Sequence, residues 1–275
     1  MPRRGAVARD ADEGHAGAAP WRARETVTQP EADALLAAIR AHAPNFRPLG
    51  EGLIAPGLLY RSGELASLDG HAWTAMERIG IRTLIDLRGP MEIEAMPVRP
   101  PAAMRLVSVP LHPGQGAGTG AGAIDNTAAA QRIGNAYRHL VQAYGRDIAG
   151  ILHLLAGEDA LPAVLFCTAG KDRTGIVSAL LLAAIGADSA AIHADYAITN
   201  AMLSGPARQR VWDMSTRLAT FDMPAGPIVD AMLAADPAYL EAAFDAIAPL
   251  PVFFERSGLD GAAIDRLQNR LLPPA

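Results

Sequence analysis

The period of the hydrophobic positions changes along the chain, and those changes divide it into elements. Over residues 30–43, Leu35, Leu36 and Ile39 fall on one face, which predicts a helix. A short apolar run at 58–60 predicts a strand, followed by polar Arg61 and Ser62. Asp69 has the chemistry of an N-cap for a helix running to about Ile79, and Gly80 stops it. Residues 81–87, with Leu84, Ile85 and Leu87, read as a strand, and residues 106–111 as another. Residues 127–156 are helical with a break near Gly145. The short apolar run at 163–166 predicts a strand or buried turn, and an apolar helix follows over 173–185. From Ser189 to the end the period is helical, in at least four pieces punctuated by Gly205, Pro224, Pro237, Pro249 and Gly258. Strands alternating with helices, then a helical final third, predict an α/β domain with helices packed on a mostly parallel central sheet.

Two stretches lack such a period. Residues 1–28 are rich in Ala, Gly and charge and read as a disordered tail, leaving 29–275 as the folded domain. Residues 113–123 hold five glycines in simple alternation. No strand-to-helix switch follows them, so they read as a flexible loop, not a phosphate cradle.

Composition narrows the function classes. Half of the 275 residues are hydrophobic, enough for a sizeable core. Twenty-nine acidic residues against 24 basic ones give a formal charge of −5, which argues against a dedicated nucleic-acid binder. The single cysteine rules out an intramolecular disulfide and a cysteine-rich metal site. The seven histidines show no ligand spacing, so no metal or other cofactor is expected. The longest apolar stretch, 175–187, is about 13 residues, against the roughly 20 a membrane span needs. No stable membrane insertion is expected. The N-terminal residues lack a secretory apolar run, which makes the cytoplasm the default location.

The chemistry concentrates at 163–175, AVLFCTAGKDRTG. An apolar strand ends at Cys167, a loop of five residues follows, and a helix starts near Arg173. Strand, tight loop and helix N-terminus make an anion site, because loop amides point inward and the helix dipole adds positive potential. Gly170 lets the backbone turn where a side chain obstructs it. A thiolate is the reactive form of cysteine, and a positive field favours it. The planar fork of Arg173 suits two phosphoryl oxygens at once. The hydroxyl of Thr174 is a candidate to bond the sulfur as it leaves. This is not a nucleotide P-loop, since Asp172 follows Lys171 where Ser or Thr is needed.

The segment CTAGKDRTG resembles the Cys-x5-Arg-Thr signature of the protein tyrosine phosphatase superfamily, in the GKDRTG form of its bacterial atypical branch. Several further pieces are similar to that family: NFRPLG at 45–50 with LYRSG at 59–63, IDLR at 85–88, Asp195-Tyr196 with Thr199-Asn200, and the helical segment 239–272. The resemblance runs from about residue 29 to the end. It implies a tyrosine phosphatase-like fold with a helical lid and helical C-terminal segment. It implies a phosphocysteine intermediate and a substrate that is a phosphorylated protein or a phosphoinositide. The family usually has His before the nucleophile, whereas Phe166 stands here, which bears on thiol activation.

Cys167, Arg173, Asp172 and Asp86 are therefore the catalytic candidates, with Thr168, Ala169, Gly170, Lys171 and Thr174 as substrate-binding candidates. Lys171 is a candidate to touch a second anionic group, as resemblance to phosphoinositide phosphatases implies. Asp172 lies beside a dianion, so it either points away as an acceptor or is protonated and serves as general acid. Asp86 is the rival acid at the same sheet edge, and Asp125 a weaker one. Arg61 and Arg88 are candidates for lining the pocket or for buried ion pairs with Glu64 or Glu92. Two other functions fit such a loop, a non-catalytic phosphate or phosphoinositide module and a sulfurtransferase.

Overall fold

The computed structural model describes residues 28–112, 126–217 and 228–274. The expected tail, the glycine-alternating loop with Asp125, and Pro224 lie outside the described residues. Five strands form one sheet: β1 Arg47–Pro48, β2 Leu59–Ser62, β3 Thr83–Asp86, β4 Arg105–Ser108 and β5 Ala163–Phe166. Their order is β1-β2-β5-β3-β4, with β1 antiparallel to β2 and every other pair parallel. This is the mostly parallel sheet that the pattern predicts, and it places β5 in the centre.

The helices are α1 Gln29–Arg40, α2 Gly70–Arg78, α3 Pro90–Ala95, α4 Asn126–Ala143, α5 Gly145–Ala156, α6 Asp172–Ala184, α7 Ser189–Met202, α8 Gly205–Arg217, α9 Ile228–Leu233, α10 Pro237–Ile247, α11 Leu250–Ser257 and α12 Gly261–Leu271. Asp69 caps α2 by accepting from the Ala72 amide, and Gly80 follows it with φ +90°. Elements predicted from periodicity thus stand within a few residues of their expected bounds. One difference is at β2, which carries on through Arg61 and Ser62. Both are fully buried; the Arg61 Nη groups are paired with Asp195 and the Gly170 carbonyl, whereas the Ser62 hydroxyl has no hydrogen-bond partner among the described residues.

The three inner strands β2, β5 and β3 are buried on both faces, which explains their short continuous apolar runs. Alternate residues feed two cores. Leu59, Ile85, Ala163, Leu165 and Cys167 join the larger core with α4, α5, α6, α10 and α12. Tyr60, Leu84, Val164 and Phe166 join the smaller one with α1 and α2. A third cluster, Leu203, Val211, Met214 and Leu233, comes from the segment spanning α7 to α9. Met96 and the loop residue Ala169 pack against it, so these helices lie over the end of β5.

Candidate active site

The register fixes where the loop emerges. Phe166 pairs with Ser62 on one side and Asp86 on the other, so Cys167 leaves the sheet between the ends of β2 and β3. Ligands of open parallel sheets bind at this carboxyl edge. Cys167 is 2% exposed, with α6 starting five residues further on at Asp172.

The loop is held from outside by its carbonyls. The Thr168 carbonyl accepts from the Glu64 amide at 3.0 Å. The Gly170 carbonyl accepts from Asn45 Nδ2 at 2.8 Å and from Arg61 Nη2 at 2.9 Å. Within a planar peptide the carbonyl and the following N–H point in opposite directions. Turning these two carbonyls outward therefore aims the amides of Ala169 and Lys171 inward. Gly170 has φ +68°, and a Cβ there meets the Ser62–Gly63 backbone at 2.5 Å, so only glycine fits.

Arg173 lies across the loop and is gripped by Glu92, a carboxylate on α3. Nη1 donates to Oε2 at 2.5 Å and Nη2 to Oε1 at 2.7 Å, and Nη2 also reaches Thr168 Oγ1 at 3.2 Å. Thr168 Oγ1 donates to Glu92 Oε1, and the Gly89 amide to Oε2 at 2.7 Å. Burial pushes the Glu92 carboxyl up, but the Arg173 hydrogen bonds and charge, with those from Thr168 and Gly89, bring it down to about 2. Burial works against the Arg173 charge, and the Glu92 hydrogen bonds and charge, with Cys167 and Asp172 nearby, more than reverse that, raising the guanidinium above its ordinary value.

Because the Glu92 pKa is lowered on folding, the stability it contributes is complete above about 4.5, its unfolded value, and is lost as pH falls through about 2. The clamp is therefore fully charged through any neutral or mildly acidic assay. Glu92→Gln is expected to lower catalytic efficiency by about 10- to 100-fold, because Arg173 loses its charged anchor. Its thermal midpoint should fall less steeply between pH 4.5 and 2 than that of the wild type. Equal efficiency in the two proteins would show that the clamp does not orient Arg173.

The predicted residues divide into those brought to the loop and those not. Thr168, Ala169, Gly170 and Arg173 form its wall. Thr174 is fully buried, but its hydroxyl has no hydrogen-bond partner among the described residues, so it does not bond the sulfur in this state. The Lys171 side chain leaves the loop for α9. Its ammonium donates to the carbonyls of Met232 and of Ala234 (3.1 Å), lies 3.2 Å from Asp172 Oδ1 and faces the Tyr239 ring at 5.7 Å. At 1% exposure it is not presented to a second anion. Asp172 accepts from the Tyr137 hydroxyl at 2.9 Å, also through Oδ1, and Tyr137 in turn meets the Tyr196 hydroxyl at 2.6 Å. Burial raises Tyr137 well above 10, with Asp172 adding to it, so it is a neutral donor.

Asp86 is not brought to the loop. Arg88 grips both its oxygens, Nε to Oδ1 at 2.9 Å and Nη2 to Oδ2 at 2.8 Å, and it is 1% exposed. Of the two alternatives for Arg61 and Arg88, the buried ion pair holds for both, but with partners other than Glu64 and Glu92. Arg88 pairs with its strand neighbour Asp86, and Arg61 with Asp195 at 2.7 Å, while Glu64 turns to Ser67 and Glu92 to Arg173. Phe166 is buried in the smaller core, with the Arg88 guanidinium 5.4 Å above its ring. Sequence reasoning missed Glu92 as the Arg173 anchor and Asn45 as a loop contact. The available signal was a carboxylate in the first turn of the helix after IDLR, and the Asn of the NFRPLG segment.

A parallel sheet that delivers a thiol, inward amides and a clamped arginine to one carboxyl edge defines a phosphatase class of α/β enzyme. A family model described as the tyrosine phosphatase family matches residues 40–273. The chain belongs to that family and is a phosphatase, a hydrolase of phosphoric monoesters. The triple specificity protein phosphatase PtpB of Mycobacterium tuberculosis is 28% identical over 269 residues, covering 83% of this chain and 96% of PtpB. Among solved structures, TpbA of P. aeruginosa in complex with pTyr is 17% identical over 74% of this chain and 96% of its own, with a TM-score of 0.33. The catalytic core of the PP-IP phosphatase SIW14 of S. cerevisiae is 13% identical over 77% and 94%, also at 0.33. Among the described residues, no group of three or more His, Cys, Asp or Glu side chains is placed to hold a metal ion, and no helix is long and apolar enough to cross a membrane.

Proposed function

We propose that residues 29–275 form a cysteine-dependent phosphatase that hydrolyses phosphotyrosine proteins, phosphoinositides or both through a phosphocysteine intermediate. The observation that supports this most is the joint placement of Cys167 at the end of β5, two outward-held loop carbonyls, and Arg173 clamped by Glu92. Loop amides and Arg173 bind the phosphoryl oxygens. Cys167 Sγ attacks phosphorus, so an S–P bond forms and the P–O bond to the leaving group breaks. Asp172 gives its proton to the leaving oxygen. Water then attacks phosphorus, returns a proton to Asp172, and releases phosphate and thiolate. The unpartnered hydroxyl of Thr174 is available to the departing sulfur.

Asp172 is preferred over Asp86 as acid because it is 29% exposed, stands at the loop and meets Lys171 and Tyr137 through Oδ1, whereas Arg88 holds both oxygens of the buried Asp86. Asp172→Asn is expected to cost about 100-fold on phenyl phosphate, whose leaving group needs a proton, and far less on an activated nitroaryl phosphate. Equal losses on both would remove Asp172 from the proton-transfer role. The protein-substrate part of this reading is supported by the similarity to PtpB, a triple specificity protein phosphatase. Reading a second phosphate requires the Lys171 ammonium to leave the α9 carbonyls. The test of the whole is a panel of phosphotyrosine, phosphoserine and phosphothreonine peptides with phosphoinositides at one enzyme concentration. Turnover of none of them overturns the proposal.

A further inference from the structure

We propose that Asn45 is a positioning residue of the phosphatase loop, whose carboxamide, together with Arg61, holds the Gly170 carbonyl outward and so aims the Lys171 amide at bound phosphate. The proposal rests on the reading of the loop as the phosphate site.

Asn45 stands out in its backbone first. It is the one non-glycine residue with positive φ among the described residues, at +60°, and it is 1% exposed. Such a conformation costs energy for most side chains, Asn tolerates it best, and it persists where the surroundings over-determine it. The side chain shows what it accomplishes. Nδ2 donates to the Gly170 carbonyl at 2.8 Å, across 125 residues of chain. Oδ1 accepts from Arg47 Nη1, also at 2.8 Å.

Those two bonds belong to a closed circuit. Arg47 Nη2 continues to the Asp195 carbonyl at 2.7 Å. The Asp195 carboxylate accepts from Arg61 Nη1 at 2.7 Å and from the Gly50 amide at 3.1 Å. Arg61 Nη2 returns to the Gly170 carbonyl at 2.9 Å. One carbonyl oxygen has two lone pairs, and here both are used by donors from different elements. The direction of the Gly170–Lys171 peptide plane is thereby set, and its N–H points to the opposite side. The circuit also carries charge: two guanidinium groups, Arg47 and Arg61, against one carboxylate, Asp195, leave one positive charge buried behind the loop. Burial, then Arg61 beside it, pulls Arg47 down to about 9 with Asp195 opposing, so it is still charged at neutral pH. A buried positive charge behind an anion site favours occupancy by phosphate.

A purely structural role makes a different prediction, because Asn45 could matter only as the acceptor for Arg47. Two variants separate the roles. Asn45→Gly keeps the positive φ without strain and removes both side-chain bonds. Asn45→Asp tolerates the same φ and keeps the acceptor for Arg47, but cannot donate and sets a carboxylate oxygen against the Gly170 carbonyl. The chain offers a clean probe, because Lys171 is its single lysine. Protein labelled with 15N-lysine gives one backbone amide signal from the loop.

The experiment titrates orthovanadate into wild-type, Asn45→Gly and Asn45→Asp protein, following that signal and, in parallel, inhibition of aryl phosphate turnover. In the wild type the Lys171 amide should shift and saturate at the concentration that inhibits. Both variants should bind vanadate about tenfold more weakly, the loss of one hydrogen bond to an aligned group, with a reduced shift. Asn45→Asp should do no better than Asn45→Gly in binding, although its thermal midpoint lies closer to wild type. Wild-type vanadate affinity and turnover in Asn45→Asp would assign Asn45 to Arg47 alone and overturn the proposal. A Lys171 amide in the wild type that ignores saturating vanadate overturns it also, even where neither variant folds. Failure of the wild type to hydrolyse any phosphomonoester, with the amide shift intact, defeats the catalytic reading and leaves this one standing.

Discussion

Cys167→Ser is expected to reduce turnover below about one per cent of wild type while leaving orthovanadate or phosphate binding close to unchanged. The separation follows from which atoms do what. In the proposed mechanism oxyanion affinity is assigned to the amides of Ala169 and Lys171, whose carbonyl partners are held by the Glu64, Asn45 and Arg61 bonds, and to Arg173. None of these involves sulfur. The proposal assigns attack to the sulfur, and a serine hydroxyl at the same place is neutral and weakly nucleophilic at pH 7. The substitution is also small. Cys167 is 2% exposed in the larger core, so exchanging S for O leaves the packing nearly intact. Phosphate release and vanadate titration by calorimetry on the same preparation decide the matter. Turnover above a few per cent in the serine variant would sink the covalent mechanism. Wild-type activity should persist in excess EDTA, and its loss there would count equally against a thiol as the nucleophile.

The part of the site that could be read from sequence is the part that is local. AVLFCTAGKDRTG contains the strand, the turn glycine, the thiol, the arginine and the helix start within one stretch, so their relation is fixed by backbone geometry alone. Period and caps gave the helices for the same reason, as at Asp69 and Gly80. What could not be read are contacts set by topology. Glu92 reaches Arg173 across 81 residues, Asn45 reaches Gly170 across 125, and Asp195 reaches Arg61 across 134. Charge and nearness in sequence offer Glu64 or Glu92 as partners for Arg61 and Arg88 if these form buried ion pairs. The fold pairs them otherwise: β2 and β5 are adjacent strands, and α7 lays Asp195 over Arg61, while the Glu64 carboxylate is taken by the amide and hydroxyl of Ser67. Lys171 shows the same limit. Its place in the loop is legible, but its side chain follows carbonyls of α9 and the residue after it, some 60 positions away.

Arg173→Lys is expected to cost at least about 100-fold in catalytic efficiency, and the geometry says why a conserved charge does not suffice. The guanidinium meets Glu92 through two parallel bonds, 2.5 and 2.7 Å, and reaches Thr168 Oγ1 at 3.2 Å. Donors on a rigid plane let the fork be fixed from several sides at once, by Glu92 through both Nη atoms, by the Leu87 carbonyl at 3.5 Å and by Thr168 Oγ1. A lysine ammonium is a point charge with three donors on a flexible stem. Drawn to the buried Glu92 carboxylate, it has no fixed second edge to offer phosphate. The Glu92 comparison makes this testable as a cycle. Glu92→Gln leaves the fork but loosens it, so its loss should be smaller than that of Arg173→Lys. The double variant should lose less than the product of the two single losses, because lysine has already given up what Glu92 positions. Measured kcat/KM values for the four proteins on one aryl phosphate decide it. Losses that multiply independently would mean that Glu92 does not act through Arg173, and an Arg173→Lys enzyme within tenfold of wild type would mean that charge alone, without the fork, carries the transition state.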